Sequence, residues 1–237
     1  MVFIRFRIGE MMVSKKIFLL TISLIVFILF LSGCEEKSNN IVNKNKIFII
    51  DNHDDGFVAR DNALMTGVII LENNQPMRVG LYSSSEYSST QLNLICRGIL
   101  RFDKSKWDNS DITFFIKCTK VQGIPNRLEA YFIDDPGSIQ EVTQAQDILS
   151  VWSLTDSSAR FFGEAVPVEN EWVQITVQAD VVNTIIDQKY SKNEYMTIML
   201  KLFMDDFTDN YDNYYEFATI DYTPSDESDQ PYIQLVD

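Results

Sequence analysis

The sequence predicts one all-β domain of the β-sandwich class, preceded by an apolar N-terminal segment. Three observations carry this prediction. Apolar and polar residues alternate with period two in six windows of the chain, which is typical of half-buried strands. Few segments of the chain have apolar residues at the spacing of a helix. About 190 residues follow the N-terminal segment, a length that suits a single domain with a full core.

The N-terminal segment has the three parts of a secretory signal. Lys15 and Lys16 precede an apolar run, Ile17–Leu31, and small residues follow it. The last four residues, Leu31-Ser32-Gly33-Cys34, resemble the lipobox of bacterial and archaeal lipoproteins. That resemblance implies cleavage after residue 33 and lipid on the thiol of Cys34. The alternative is an uncleaved membrane helix, for which the run is short, because a span needs about 20 residues.

Both interpretations place the rest of the chain outside the cytoplasm, because the basic flank stays inside. Residues 34–46 are polar and rich in Asn and Lys, and they predict a flexible tether. The β-sandwich domain is then expected over residues 47–237. One acyl group holds a protein weakly at a membrane, so durable anchoring needs more than one chain.

The strands are predicted from alternation and from β-branched and aromatic residues. The six alternating windows are Met77–Tyr82, Leu94–Phe102, Ile112–Cys118, Trp172–Ala179, Tyr195–Met204 and Pro231–Val236. Further candidates are Ile47–Ile50, Phe57–Arg60, Gly67–Leu71, Arg127–Ile133 and Tyr214–Asp221. Two short helices are expected, one capped by Asp180 before Val181–Lys189 and one within residues 138–149.

The chain is strongly acidic. Its net charge is −14, and removal of residues 1–33, which hold four basic residues and one acidic residue, leaves −17. Such a surface repels nucleic acid and anionic lipid, so no nucleic-acid partner is expected. Export permits a disulfide between Cys96 and Cys118, which would face each other if their two strands formed a hairpin. Two buried free thiols are the alternative.

Several short motifs occur in a recognisable order. They are "DDGFVARD" (54–61), "MRVG" (77–80), "RGILRFDKS" (97–105), "EWVQITVQADVVNTI" (171–185) and "FATIDYT" with "QPYIQLV" at the end. This order resembles the DNRLRE family, which overlaps carbohydrate-binding module family 96. The resemblance implies a jelly-roll β-sandwich outside a microbial cell, often joined to polysaccharide-degrading or cell-surface modules. Some members of that family resemble alginate binders.

A basic strip is the first candidate site. Arg78, Arg97, Arg101 and Lys117 occupy the outward parity of three predicted strands, and Tyr82 shares the parity of Arg78. Guanidinium groups pair bidentately with carboxylates, so this strip suits a polysaccharide that contains uronic acids or sulfated sugars. The alternative is that these bases offset neighbouring acids on a solvated sheet face.

Aromatic side chains stack on sugar rings in many carbohydrate-binding modules. Trp107 lies in a polar loop and is expected to be the most exposed of the three tryptophans. Trp152 and Trp172 are further candidates, and core or rim packing is the alternative for all three.

The acidic residues raise the question of a metal. Asp205 and Glu216 have EF-hand spacing, but Phe207 and Asn210 occupy positions that such a loop cannot use. Asp55 and Asp221 are expected to meet if the terminal strands pair. By analogy with jelly-roll sugar-binding modules, that place is a candidate for a structural calcium ion.

Signals for catalysis are weak. His53 is the only histidine, and zinc spacing, a phosphate loop and a nucleophile elbow are all missing from the sequence. We therefore expect a non-catalytic, lipid-anchored carbohydrate-binding protein that requires no cofactor. Its partners would be an anionic polysaccharide and, through Cys34, the cell membrane. The alternatives are a structural surface lipoprotein and, third, a polysaccharide-degrading enzyme that uses two carboxylates.

Overall fold

A computed structural model describes the residues 45–49, 51, 54–61, 67–70, 75–84, 92–138, 145–205, 212–222 and 227–236. All of them belong to one compact unit, Asn45–Asp237. The expected signal peptide, Cys34, nearly all of the tether, His53 and the middle of the loop between Asp205 and Glu216 lie outside the described residues.

The described residues form twelve strands, all paired antiparallel, and the all-β prediction is confirmed. The strands are β1 (Lys46–Phe48), β2 (Asp55–Asp61), β3 (Gly67–Ile70), β4 (Met77–Ser84), β5 (Leu92–Asp103), β6 (Asp111–Gln122), β7 (Leu128–Ile133), β8 (Arg160–Ala165), β9 (Trp172–Val177), β10 (Tyr195–Leu202), β11 (Asn213–Phe217) and β12 (Tyr232–Val236). The helices are α1 (Ala145–Ser157) and α2 (Ala179–Val182), the latter continued by a wider helical turn over Asn183–Lys189.

The strands form a sandwich of two layers, and paired strands at one side connect the two layers by hydrogen bonds. The first layer has the order β1-β12-β6-β9, and the second has the order β3-β2-β5-β10-β7-β8. Strand β11 joins the end of β6 to β4, and β4 joins the beginning of β5. Most neighbours are distant in sequence, as the long crossovers of a sandwich require.

The main core lies between the layers. In β6, Ile112, Phe114 and Ile116 are completely buried while their neighbours in sequence are more exposed. The ring of Phe114 meets that of Phe102 from β5 at 6.2 Å between centroids. Burial of apolar surface, at roughly 25 cal/mol per Å², is what holds the layers together.

A second cluster lies on the outer side of β5, where α1 covers the sheet. It consists of Val58, Leu81, Ile95, Ile99, Val151 and Trp152, all buried. Strand β5 is therefore buried on both faces, and alternation along it does not separate core from solvent. In β4, Gly80 has φ +125°, and a Cβ there would lie 2.3 Å from the carbonyl oxygen of Asn213, so only glycine fits.

The helices differ from their predictions. Helix α1 is longer than the turn expected at 138–149 and extends to Ser157. Helix α2 begins at Ala179, so Asp180 is not its cap; Asp111 of β6 accepts the Ala179 amide at 2.7 Å instead. Strand β8 was not predicted, because its side chains are mostly half or fully exposed. Within the described ranges, no helix is long and apolar enough to cross a membrane.

Cys96 and Cys118 are both buried and free. Their two strands do not pair as the hairpin that a disulfide would need. Strand β5 pairs with β2, β4 and β10, whereas β6 pairs with β9, β11 and β12. Burial raises the pKa of both thiols to about 12. Since the thiolate is the nucleophile, both cysteines should be inert in the folded protein.

We expect Cys34→Ser protein to show no thiol that reacts with Ellman's reagent at pH 8 and two that react after unfolding in guanidinium chloride. Burial and the raised pKa both suppress the thiolate in the folded state. A protein that shows no reactive thiol even after unfolding, unless it is first reduced, would contradict this and indicate a disulfide.

Candidate functional site

Arg97 of β5 lies under α1 and is only 4% exposed. Its guanidinium donates to Asp205 at 2.6 Å, to Asp156 at 2.7 Å and to the Thr155 hydroxyl at 2.5 Å. It also lies 4.1 Å from the centre of the Trp152 ring. Arg97 thus ties α1 to the sheet.

Arg101, also on β5, is equally enclosed at 6% exposed. It pairs with Asp54, and with Asp135 at 2.7 and 3.0 Å, while its guanidinium covers the ring of Tyr195 at 4.0 Å. The expectation that Arg97 and Arg101 face solvent is wrong, because a helix and a loop cover the outer side of β5. Their buried charges are matched by carboxylates of the same chain.

Arg78 and Lys117 do not lie beside this pair. Arg78 of β4 donates to Glu216 at 3.1 Å and covers the ring of Tyr82 at 4.1 Å, so these two predicted residues do meet. Lys117 lies in the first layer, with its ammonium group 5.7 Å from the ring of Trp172. The four bases therefore do not form one strip.

One of the three tryptophans, Trp107, is placed differently from the prediction. Trp107, expected to be the exposed one, is 8% exposed, packs in the main core and donates its indole N–H to the carbonyl of Ser110 at 3.0 Å. A polar loop sequence does not show that its aromatic residue folds back over the core. Trp152 of α1 is buried against the sheet, and Trp172 is half-buried on the outer face of the first layer.

The outer face of the first layer carries a cluster of aromatic side chains. Phe48 of β1, Tyr232 of β12 and Phe115 of β6 stand directly opposite one another in the sheet, in one row across three strands. Trp172 of β9 stands opposite Lys117, which is two residues beyond Phe115 on β6. We call Phe48, Phe115, Trp172 and Tyr232, with Lys46 and Lys117, the aromatic face.

The rings of the aromatic face pack against one another and remain half-buried. Phe115 stacks on Tyr232 at 4.7 Å with an angle of 12° between the rings, and Phe48 is 5.5 Å from Tyr232. Trp172 meets Tyr232 and Phe115 edge-on at 5.5 and 6.4 Å. Such contacts fix the rings without burying them fully. The result is a rigid apolar surface open to solvent.

Both lysines of the aromatic face lie against its rings, with the Lys46 ammonium group 3.9 Å from the centre of the Tyr232 ring. Beside the rings, in the next row of the sheet, the same face carries short polar side chains, such as Thr113 and Thr176, whose hydroxyls are 3.0 Å apart. Asp111, at one end of the face, already accepts the Ala179 amide. The face is thus locally basic on an acidic protein.

Part of the aromatic face was within reach of the sequence. Alternation already put Phe115, Lys117 and Trp172 opposite the core side of their strands. The sequence does not show which strands are neighbours. Strands β1, β12, β6 and β9 are far apart in sequence, and only pairing brings them together.

The metal candidates Asp55 and Asp221 do come near each other. Asp55 is buried and accepts the amide of Ile220 at 2.7 Å. Burial raises the pKa of the Asp55 carboxyl to about 7; the Ile220 amide opposes this rise, and the charges of Asp221 and Asp54 add to it. Among the residues that the structure describes, no group of three or more His, Cys, Asp or Glu is arranged to hold a metal. A calcium ion at Asp55 and Asp221 stays a prediction.

No family model matches the chain, and no curated protein is significantly similar to it. The resemblance to the DNRLRE family stays a prediction from the sequence.

We expect Arg101→Met to lower the free energy of unfolding by about 3–5 kcal/mol, because it leaves the buried carboxylate of Asp54 and the half-buried carboxylate of Asp135 without their partner. Urea denaturation measures the change. Arg160→Met, which removes an exposed arginine, is the control and should change stability by less than about 0.5 kcal/mol. An Arg101→Met protein that unfolds at the same urea concentration as the original protein would contradict this structural role of Arg101.

We expect Asp55→Asn to stabilise the protein on the alkaline side by an amount on the order of a few kcal/mol. An unfolded aspartate ionises near pH 3.9, whereas folded Asp55 holds its proton to about pH 7. The stability that Asp55 contributes is therefore lost as the pH rises between these values. Asparagine still accepts the Ile220 amide and does not titrate. At pH 3.5 Asp55→Asn and the original protein should have nearly equal free energies of unfolding, and at pH 8 the variant's should be clearly higher.

The same variant tests the calcium prediction. If Asp55 and Asp221 hold Ca²⁺, millimolar Ca²⁺ at pH 7.5 should raise the Tm of the original protein and not that of Asp55→Asn, because a ligand stabilises only the state that binds it. Equal Tm values for the original protein with Ca²⁺ and with chelator would contradict a calcium site there.

Proposed function

We propose that this chain is a lipid-anchored, extracytoplasmic protein that binds an anionic polysaccharide and does not catalyse a reaction on it. The observation that carries the proposal is the aromatic face, a cluster of four half-buried rings with two lysines on the outer side of one layer. The signal-like N-terminus and Cys34 support the location.

The chemistry of the aromatic face suits a sugar chain. Ring faces offer apolar, slightly negative surfaces for the C–H groups of a pyranose, and the rings are already held in place, so little side-chain entropy is lost on binding. Threonine hydroxyls and the amides of Gln174 and Gln234, which lie on the same side of their strands, can exchange hydrogen bonds with sugar hydroxyls. These are the parts that a carbohydrate site needs.

The two lysines favour an acidic sugar. Lys46 and Lys117 lie on opposite sides of the ring cluster, on β1 and β6. On a chain of net charge −14, a locally basic face attracts carboxylate or sulfate groups that the rest of the surface repels. Lysine contributes here as a point charge, without the bidentate geometry expected of the buried arginines.

The alternative, a structural or protein-contact lipoprotein, has an observation of its own. Ile124, Val166 and Met204 are 93%, 73% and 67% exposed. They lie in the loops next to the row formed by Leu128, Ala165 and Leu202 on β7, β8 and β10. Exposed apolar residues close to one another favour a protein contact, although single ones are common.

We expect Trp172→Ala to weaken binding to acidic polysaccharides at least tenfold, because tryptophan is among the side chains that dominate binding energy. Binding of the full chain in detergent micelles to alginate, polygalacturonate, heparin and neutral glucans would be measured by calorimetry at two salt concentrations. Lys117→Gln should bind more weakly at low salt and lose part of the salt dependence.

Phe161→Ala is the matched control, because Phe161 is a 50% exposed ring on β8 of the other layer, in edge contact with Tyr131. It should bind as the original protein does. Absence of binding to every polysaccharide by folded protein would favour the protein-contact alternative. Release of reducing ends during the assay would support the enzyme.

A further inference from the structure

We infer that the binding surface extends from the aromatic face along β6 to a second basic and aromatic cluster, so that the ligand is an extended stretch of polysaccharide rather than a single sugar or a chain end. This inference rests on the proposed function and adds a second contact region to it. The second cluster consists of Arg78, Tyr82, Lys120, Tyr214 and Glu216, and we call it the distal cluster.

Strand β6 connects the two regions without a break in the chain. Its first half pairs with β12 and β9, and its second half pairs with β11. The pairing with β11 shifts by one residue between Glu216 and Phe217, so Phe217 stands opposite Cys118 and Glu216 opposite Lys120. Cys118 and Phe217 are completely buried. Because of this irregularity, Lys120 has the same outward orientation as Glu216, its partner on β11.

Lys117 and Lys120 therefore both lie on the outer side of β6, one on each side of the buried Cys118. The amide of Ala218, at the end of β11, donates to the carbonyl of Lys117 at 3.0 Å, which holds β11 against β6 at this point. The outer surface passes from the first layer to β11 and β4 with no intervening element among the described residues.

The distal cluster combines rings and bases as the aromatic face does, but Tyr214 is buried at 4% exposed, and Tyr82 and Lys120 beside it are half-buried. The Lys120 ammonium group lies 3.3 Å from the Tyr214 hydroxyl and 5.5 Å from the centre of its ring. Tyr214 meets Tyr82 edge-on at 5.4 Å, and Arg78 covers Tyr82 at 4.1 Å. Glu216 neutralises Arg78, which leaves Lys120 as the positive charge in excess within the cluster.

A groove runs beside the distal cluster. It has a volume of about 500 Å³ and is lined by Thr119, Lys120, Val121, Glu169, Asn170, Glu216 and Tyr222. The hydroxyl of Thr119 lies within its wall, closed off from the groove and without a hydrogen-bond partner. Polar donors and acceptors close to a ring cluster are what a sugar subsite requires.

The separation of the regions sets the length of the ligand. Five residues of strand separate Phe115 in the row of rings from Lys120, or about 16 Å at roughly 3.3 Å per residue, and three residues separate Lys117 from Lys120, or about 10 Å. One sugar ring cannot touch both positions. A ligand that uses both regions must therefore be an oligosaccharide that lies along β6, and its affinity should rise with chain length until both are occupied.

The test is calorimetry of the full chain in detergent micelles with sized uronate oligomers from alginate and polygalacturonate, from disaccharide to decasaccharide. For the original protein we expect affinity to increase with length and then level off. Lys120→Gln should bind the longest oligomers about five- to tenfold more weakly and the disaccharide unchanged, because the short ligand does not reach residue 120.

Lys201→Gln is the matched control. Lys201 of β10 also lies over a tyrosine, 5.3 Å from the ring of Tyr131, but in the other layer. It should bind every oligomer as the original protein does. Circular dichroism and urea denaturation confirm that each variant is folded.

The outcomes separate the inference from the proposed function. If Lys120→Gln and Lys201→Gln bind long oligomers equally well while Trp172→Ala binds them weakly, the aromatic face is the whole site and the inference is overturned. If affinity does not depend on length beyond the disaccharide, it is overturned as well. If the original protein binds no oligomer, or if Trp172→Ala binds all of them normally, the proposed function fails too.

Discussion

The pairing of β6 is the constraint on which the rest of the structure depends. This strand of 12 residues belongs to the first layer through its first half and reaches β11 through its second half. Its inner side supplies Ile112, Phe114 and Ile116 to the main core, and its outer side carries Phe115, Lys117 and Lys120. One run of alternating residues thus builds the core and both parts of the candidate binding surface.

Strand β5 differs from β6 because both of its faces are buried. A strand covered by α1 on one side and by the main core on the other would usually be apolar throughout. Arg97 and Arg101 are accommodated because Asp54, Asp135, Asp156 and Asp205 converge on them from four separate segments. Part of the acidic excess of the chain therefore neutralises buried arginines, and the charge of a residue in a strand does not reveal its exposure.

The half-buried rings of the aromatic face are held differently from the aromatic residues of the core. In the aromatic face, Phe115 and Tyr232 stack with nearly parallel rings at 4.7 Å and are kept in place by their cross-strand neighbours. A sheet presents such rings at spacings fixed by its own geometry, because facing residues in adjacent strands lie about 5 Å apart. Rigidity of this kind lowers the entropy cost of binding without making the rings part of the core.

The sequence by itself determined the class of fold and the bounds of eleven of the twelve strands to within a few residues, because alternation is a local property that burial on one side imposes. It also determined the outward parity of Phe115, Lys117 and Trp172. The tertiary structure decided which strands are neighbours, that Trp107 folds back into the core, and that a helix and a loop cover Arg97 and Arg101. Those outcomes depend on contacts between segments far apart in the chain, which no local pattern records. The candidate site could be assembled only after pairing placed β1, β12, β6 and β9 side by side.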